Sequence, residues 1–252
     1  MGRQRRPGDP VRAAYDGAAL LVPRLAGPDD TQLHAYDLLA RQLIPGYASL
    51  ARLSVALLAA SPLAAPSGAR VLIAGCGTGA ELVEARLQRP DWQLTALDPS
   101  AEMLNEARQR LSPEDREAIH WHQSTVEALA MGESFAGALS VLVLQSLQDD
   151  GSKLAYLSAL ARQLAPGGQL VLIDLMRAQR PALQTQVEKA WLGFQQAGGL
   201  APNAPAAAPL TQAVHPIGLS RLTALVNAAG FGDPARIFQA LDYEGFLLQR
   251  CS

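Results

Sequence analysis

Val71-Leu72-Ile73-Ala74-Gly75-Cys76-Gly77-Thr78-Gly79-Ala80 is an apolar, β-prone run that ends in three glycines. About twenty residues further on, the spacing seen where a second strand follows a nucleotide-binding turn, Leu94-Thr95-Ala96-Leu97-Asp98 is another apolar run that ends in a carboxylate. Glycines let a chain turn tightly after a buried strand and approach a ligand closely. A carboxylate at the tip of the neighbouring strand accepts hydrogen bonds from ribose hydroxyls. The two runs together point to a nucleoside cofactor. Two chemistries stay open, a dinucleotide and S-adenosylmethionine, because Gly75-x-Gly77-x-x-Ala80 also satisfies the relaxed dinucleotide spacing.

Working outward, strands and helices alternate. Arg70–Gly75 reads as a strand, Gly79 to Gln88 as a helix, and Gln93–Asp98 as the second strand. Ser100 is a good N-cap for the next helix, with Glu102 near its positive end. Ala118–His122 is a third strand, and the apolar run Ala138–Leu144 reads as a fourth, buried on both faces. Leu154, Leu157, Ala161 and Leu164 pattern a helix that Pro166-Gly167-Gly168 should stop, before a fifth strand at Gln169–Leu175. A helix at Leu219–Ala229 and two strands, Ala235–Ala240 and Tyr243–Arg250, finish the chain. Alternation of this kind predicts a doubly wound α/β sheet, Rossmann-like, with seven strands and an antiparallel C-terminal hairpin. Its ligand should lie beyond the carboxyl ends of the strands, at the switch point.

The flanks are organised differently. Leu33, Tyr36, Leu39 and Leu43 form one apolar stripe, Pro45-Gly46 interrupts it, and Tyr47, Leu50, Leu53, Leu57 and Leu58 resume it. Residues 31–66 are therefore read as a helical cap on a binding domain at 67–252. Residues 1–30, with Arg3, Arg5, Arg6 and Arg12 among Pro and Gly, are read as a flexible, solvated arm. Residues 177–216 are read as a mobile lid, because 198–216 are rich in Ala, Pro and Gly.

The chain has 252 residues, 49% of them apolar, and a formal net charge of −2. That balance supplies no strong field for nucleic acid or a membrane surface. No uncharged apolar segment reaches the ~20 residues that span a bilayer. With Cys76 inside the glycine loop, reduced thiols and a cytoplasmic location are expected. Cys76 itself reads as a small packing residue. His120 and His122 share one face of a strand, but no third ligand at usable spacing follows them, so no metal is expected.

Several segments carry a family resemblance. They are Val71–Ala80, Ala96–Leu104, the polar Gln123-Ser124-Thr125, Leu164–Asp174, and the Ala229-Gly230-Phe231 turn. In this order they resemble the class I S-adenosylmethionine-dependent methyltransferases. Ile44-Pro45-Gly46-Tyr47, Leu144-Gln145-Ser146-Leu147 and Phe238–Phe246 are similar, more narrowly, to the carboxy-S-adenosylmethionine synthases of transfer-RNA wobble uridine modification. That family grips its extra carboxylate with an arginine before the last helix. Residues 203–210 here contain no Arg or Lys, and a desolvated carboxylate without a cation is costly. Ordinary S-adenosylmethionine is therefore expected, with S-adenosylhomocysteine as product.

The resemblance implies a binding site made of Gly75, Cys76, Gly77 and Gly79 at the methionyl end and Asp98 at the ribose. Pro99 and Met103 are expected against the adenine, and Ser124 and Thr125 near its amino group. Tyr47 is expected to close over the cofactor, and Arg41 to reach its carboxylate. His34, Tyr36, Asp174 and His215 are candidate bases, and none is singled out as catalytic. Strand four ends in Leu142-Val143-Leu144-Gln145 and lacks the Asn/Asp-Pro-Pro-aromatic signature of base methylation. The apolar region around Trp191 and Phe194 suits a small organic acceptor, as in secondary metabolism. A homodimer is kept open. The competing classes are a non-catalytic cofactor-binding module and a nicotinamide dehydrogenase.

Overall fold

The computed structural model describes residues 31–132, 134–177, 182–200 and 214–252. Two helices, α1 (Thr31–Leu43) and α2 (Tyr47–Ala59), precede the alternating part. There follow β1 (Arg70–Ala74), α3 (Ala80–Gln88), β2 (Gln93–Asp98), α4 (Ala101–Gln109), the short α5 (Pro113–Glu117) and β3 (Ile119–Gln123). Then come β4 (Phe135–Val141), a 3-10 turn at Leu144–Ser146, α6 (Ser152–Gln163) and β5 (Leu164–Leu175). The chain ends with α7 (Gln184–Ala197), α8 (Leu219–Ala229), β6 (Ala235–Ala240) and β7 (Tyr243–Gln249).

Among the described residues seven strands form one sheet in the order β3-β2-β1-β4-β5-β7-β6. β1 pairs in parallel with both β2 and β4, while β7 runs antiparallel to β5 and β6. The chain winds outward from β1 to β3, then returns to the centre at β4. Two adjacent strands thus send their following loops to opposite sides, which opens a crevice at their carboxyl ends. The expected fold is found, including the antiparallel hairpin.

Both faces of the sheet are covered, so its central strands are apolar throughout rather than alternating. On one face Leu72, Ala138, Leu170 and Leu172 meet Leu157 and Leu160 of α6 and Leu222 of α8. On the other, Val71, Ile73, Leu94, Leu139 and Val171 meet Leu50, Val55 and Leu58 of α2 and Leu82 of α3. α2 is therefore part of the core layer, and the cap-like position belongs to α1. Gly46, in the left-handed region at φ 84°, turns the chain between the two helices. α7 is docked on α1: the Trp191 indole N–H donates to the Leu43 carbonyl at 2.6 Å and Gln42 Nε2 to the Gly198 carbonyl at 2.8 Å.

The expected boundaries shift most at β4 and β5. β4 ends at Val141, not at Leu144, because Leu142 turns to φ 61° and the chain leaves the sheet. β5 begins directly at Leu164. Pro166-Gly167-Gly168 is absorbed as an irregularity where β4–β5 pairing jumps from Phe135↔Leu164 to Gly137↔Gln169. Within the expected lid, residues 182–200 hold α7, while 178–181 and 201–213 lie outside the described residues, as does the expected arm at 1–30. No single helix among the described residues is long and apolar enough to cross a membrane.

Candidate active site

A cleft open to solvent lies at the carboxyl ends of β1, β2 and β4. Its floor is the loop Gly75–Thr78 with the start of α3, one wall is Asp98-Pro99-Ser100 with Met103, and another is Val141-Leu142-Val143 with Ser146. Tyr36 and Tyr47 face it from the N-terminal helices.

The glycine loop has the backbone that the spacing demands. Gly75 and Gly79 sit at φ 72° and 84°. A Cβ on Gly79 would come within 2.8 Å of Ala107 Cβ and 3.1 Å of its Cα, so only glycine lets α3 start this close to α4. Gly79→Ala is expected to destabilise the fold by about 1–3 kcal/mol, measurable by denaturant unfolding, since strain and overpacking act together. Gly77, by contrast, faces open space: a Cβ there would meet no atom within 4 Å, so the loop leaves room for a ligand lying on its backbone.

Asp98 closes the floor. Its Oδ2 accepts the Gly77 N–H and its Oδ1 the Ser100 N–H, each at 2.9 Å. Ser100 in turn caps α4 by accepting the Met103 N–H. Burial pushes the Asp98 carboxyl upward, while the two N–H donors oppose that shift. Each carboxylate oxygen keeps a further lone pair for a partner in the cleft.

α1 is tied to the loop by charge. Asp37 pairs with Arg110 at 2.7 Å and accepts the Thr78 hydroxyl at 3.0 Å and the Tyr47 hydroxyl at 3.4 Å. Arg110 also donates to the Thr78 carbonyl at 3.1 Å. Beside this network Glu81 is buried, and desolvation pushes its carboxyl up to about 7. Tyr36 is pushed up to about 12 by burial, then by Asp37, Glu81, Asp98 and Glu106. Burial also raises the Tyr47 hydroxyl and the Cys76 thiol, so Cys76 is a protonated packing group with little nucleophilic character.

The wall after β4 is held from behind. Asp174 accepts the Leu144 N–H at 3.2 Å and the Gln145 N–H at 2.8 Å, and Lys153 donates to the Leu144 carbonyl. Burial pushes Asp174 up to about 7 and Lys153 down, with each partner's charge opposing the other's shift. This clamp keeps the left-handed Leu142 in place, and Leu142 N–H donates to the Ile173 carbonyl at 2.7 Å.

Of the expected site residues, Gly75, Cys76, Gly77, Asp98, Pro99, Met103 and Tyr47 line the same cleft, and Gly79 packs behind it on Ala107. Arg41 is exposed on α1 and does not line the cleft. Ser124 and Thr125 are not part of its lining, although the Ser124 N–H donates to the carbonyl of Asp98 at 3.2 Å. Ser124 instead borders a separate hollow with His120 and His122. Among the described residues no group of three or more His, Cys, Asp or Glu could hold a metal ion. Among the candidate bases, Asp174 spends its oxygens on backbone, His215 is exposed, and Tyr36 lines the cleft. Asp37, Thr78, Glu81, Arg110 and Ser146 were not legible as site residues. They come from separate segments that only the tertiary fold brings together.

The comparisons with known proteins agree with this geometry. A family described as a methyltransferase domain matches residues 71–168. A ubiquinone biosynthesis O-methyltransferase from Xanthomonas axonopodis pv. citri is 35% identical over 113 residues, 44% of this chain and 45% of that protein. The chain thus spans a little under half the length of that relative and of others like it. A carboxy-S-adenosyl-L-methionine synthase from Pseudomonas putida is 24% identical over 232 residues, 90% of this chain and 93% of that protein. In structure, the chain resembles the 1,6-didemethyltoxoflavin-N1-methyltransferase of Burkholderia thailandensis, solved with 1,6-didemethyltoxoflavin and S-adenosylhomocysteine bound. The TM-score is 0.54 at 19% identity, covering 90% of this chain and 93% of that one. Residues 71–168 thus match a methyltransferase domain, set on the seven-stranded sheet with an antiparallel hairpin expected from the resemblance to the class I S-adenosylmethionine-dependent methyltransferases.

Proposed function

We propose that this protein transfers the methyl group of S-adenosylmethionine to a small organic acceptor. The observation that carries the reading is Asp98. It is a buried carboxylate at the tip of β2, fixed by two backbone N–H groups, with its remaining lone pairs available to ribose hydroxyls. The residues fit the cofactor. Gly77 leaves open the space a side chain would fill, and Pro99 and Met103 offer an apolar surface to a flat base.

When bound, the sulfonium supplies a methyl group for in-line displacement, with a neutral thioether leaving. The chain's own residues then have three tasks: to position, to exclude water and to complement charge. Asp98 and the glycine loop would fix the nucleoside. Tyr36 and Tyr47, on helices packed against the loop by Asp37 and Arg110, would cover it from solvent. Val141, Leu142 and Val143 would present an apolar wall to the acceptor. A second, largely apolar hollow lies between α7 and the β6–β7 turn, lined by Leu175, Val187, Trp191 and Tyr243 among others.

A second reading, a carboxy-S-adenosylmethionine synthase-like enzyme, is favoured by the near full-length match to that family. Against it, no Lys or Arg among the described residues lines the cleft, which holds Glu81 and Asp98 instead. Residues 203–210, where that family's arginine would be sought, lie outside the described residues. Mass measurement of ligand retained on purification, together with methyl transfer from labelled S-adenosylmethionine across an acceptor panel, tests both readings. The expected ligand is S-adenosylmethionine or S-adenosylhomocysteine. A ligand heavier by one carboxyl group would favour the second reading, and retained NAD would overturn both.

A further inference from the structure

Glu81 is in an expensive position. It lies in the first turn of α3, lines the cleft, and is only 9% exposed. An acid in a first helical turn is favourable at the surface through the helix dipole, but that explains neither the burial nor the direction it faces. Among the described residues no Lys, Arg or His forms an ion pair with it. Arg110, the cation that attracts it, is already paired with Asp37. Four carboxylates, Asp37, Glu81, Asp98 and Glu106, act together on Tyr36 at this end of the cleft. The Glu81 carboxyl accepts its own backbone N–H, and Arg110 is a single cation among these four carboxylates, so negative charge stays in surplus, and a buried carboxylate with no ion pair is costly unless a partner arrives.

We propose that Glu81 is the recognition carboxylate for the α-ammonium group of the cofactor's methionyl end, with Tyr36 and Tyr47 closing the same positively charged group in from α1 and α2. This inference rests on the reading of the cleft as an S-adenosylmethionine site and adds the residue that selects for the amino-acid end. The glycine loop runs directly before Glu81 in sequence, so a ligand whose ribose meets Asp98 can lay its tail across Gly77 toward the start of α3. Both tyrosines line the cleft, and Tyr47 is positioned by Asp37.

The groups that face Glu81 are Asp37 and Tyr36 from α1, Tyr47 from α2, Cys76 from its own loop, and Arg110 beyond α4. Without ligand, burial holds the Glu81 carboxyl near 7. An ammonium partner needs the ionised form, so binding releases a proton and the affinity rises with pH. The expected gain between pH 6 and pH 7.5 is roughly five- to tenfold, by proton linkage.

Calorimetry with S-adenosylhomocysteine, which carries the amino-acid end, and 5′-methylthioadenosine, which lacks it, tests the proposal. Glu81→Gln is expected to weaken S-adenosylhomocysteine by at least tenfold, to change 5′-methylthioadenosine by less than twofold, and to abolish the pH dependence. Equal losses for both ligands, or no loss for either, would overturn it. If Glu81→Gln does not fold, the pH series on the wild-type protein still decides: a flat profile for S-adenosylhomocysteine overturns the proposal. Wild-type protein that binds neither compound would instead reject the cofactor reading on which it rests.

Discussion

Asp98→Ala is expected to weaken S-adenosylhomocysteine binding by about 1–3 kcal/mol, the scale of hydrogen bonds lost at a buried site, or roughly 5- to 150-fold in Kd. Two effects add. The ribose hydroxyls lose their acceptor, and the Gly77 and Ser100 N–H groups that Asp98 now satisfies are left without it. Freed of that anchor, the glycine loop would no longer hold its backbone in one arrangement against the ligand. Asp98→Asn should fall between alanine and wild type, since its amide oxygen can replace only one of the two accepted bonds while its NH2 opposes the other donor. Isothermal calorimetry on both variants, with thermal melts to confirm folding, checks the order. Wild-type affinity in Asp98→Ala would remove the ribose from this position.

Asp174→Ala is expected to cost about 2–4 kcal/mol of stability, since it leaves two backbone N–H groups without their acceptor at about 1–3 kcal/mol each. The loss would unpair the Leu144 and Gln145 N–H groups together and remove one of the two carboxylates, Asp174 and Asp149, that offset the charge of buried Lys153. It would also release the turn that holds Leu142 in its left-handed conformation and gives the cleft Val143 and Ser146. Denaturant unfolding should therefore show a lower midpoint, and ligand affinity should fall with it. The double variant Lys153→Met/Asp174→Leu separates the causes. It removes both charges, and it should recover much of the stability while the cleft wall stays loose. If Asp174→Ala unfolds at the wild-type midpoint, the clamp is not what supports the wall.

The parts of this fold that sequence reveals are those where local chemistry and tertiary structure agree. The β2 strand at Gln93–Asp98, the Ser100 cap, α8 and β6 stand where apolar pattern and capping place them. The end of β4 does not. Leu142, Val143 and Leu144 continue an apolar run without a break, and nothing in that run marks where pairing with β5 stops and the cleft wall begins. α7 is hard to see for the opposite reason. It has no buried residue, so its apolar side chains form no deep stripe, although Trp191 anchors it to α1. The site divides the same way. Asp98 and the glycines are adjacent to strand ends and carry a spacing. Asp37, Glu81 and Arg110 are separated by tens of residues, and only the packing of α1 over the start of α3 turns them into one charged cluster. The resemblance puts Ser124 and Thr125 beside the adenine; β3 lies next to β2, and the Ser124 N–H donates to the Asp98 carbonyl at 3.2 Å.

A crystal structure of the protein soaked with S-adenosylhomocysteine tests the central claim most directly. Both ribose hydroxyls are expected within hydrogen-bonding distance of the Asp98 carboxylate, with the ligand tail crossing Gly77. Density for the ligand elsewhere, or a crevice between β1 and β4 closed by side chains, would contradict it.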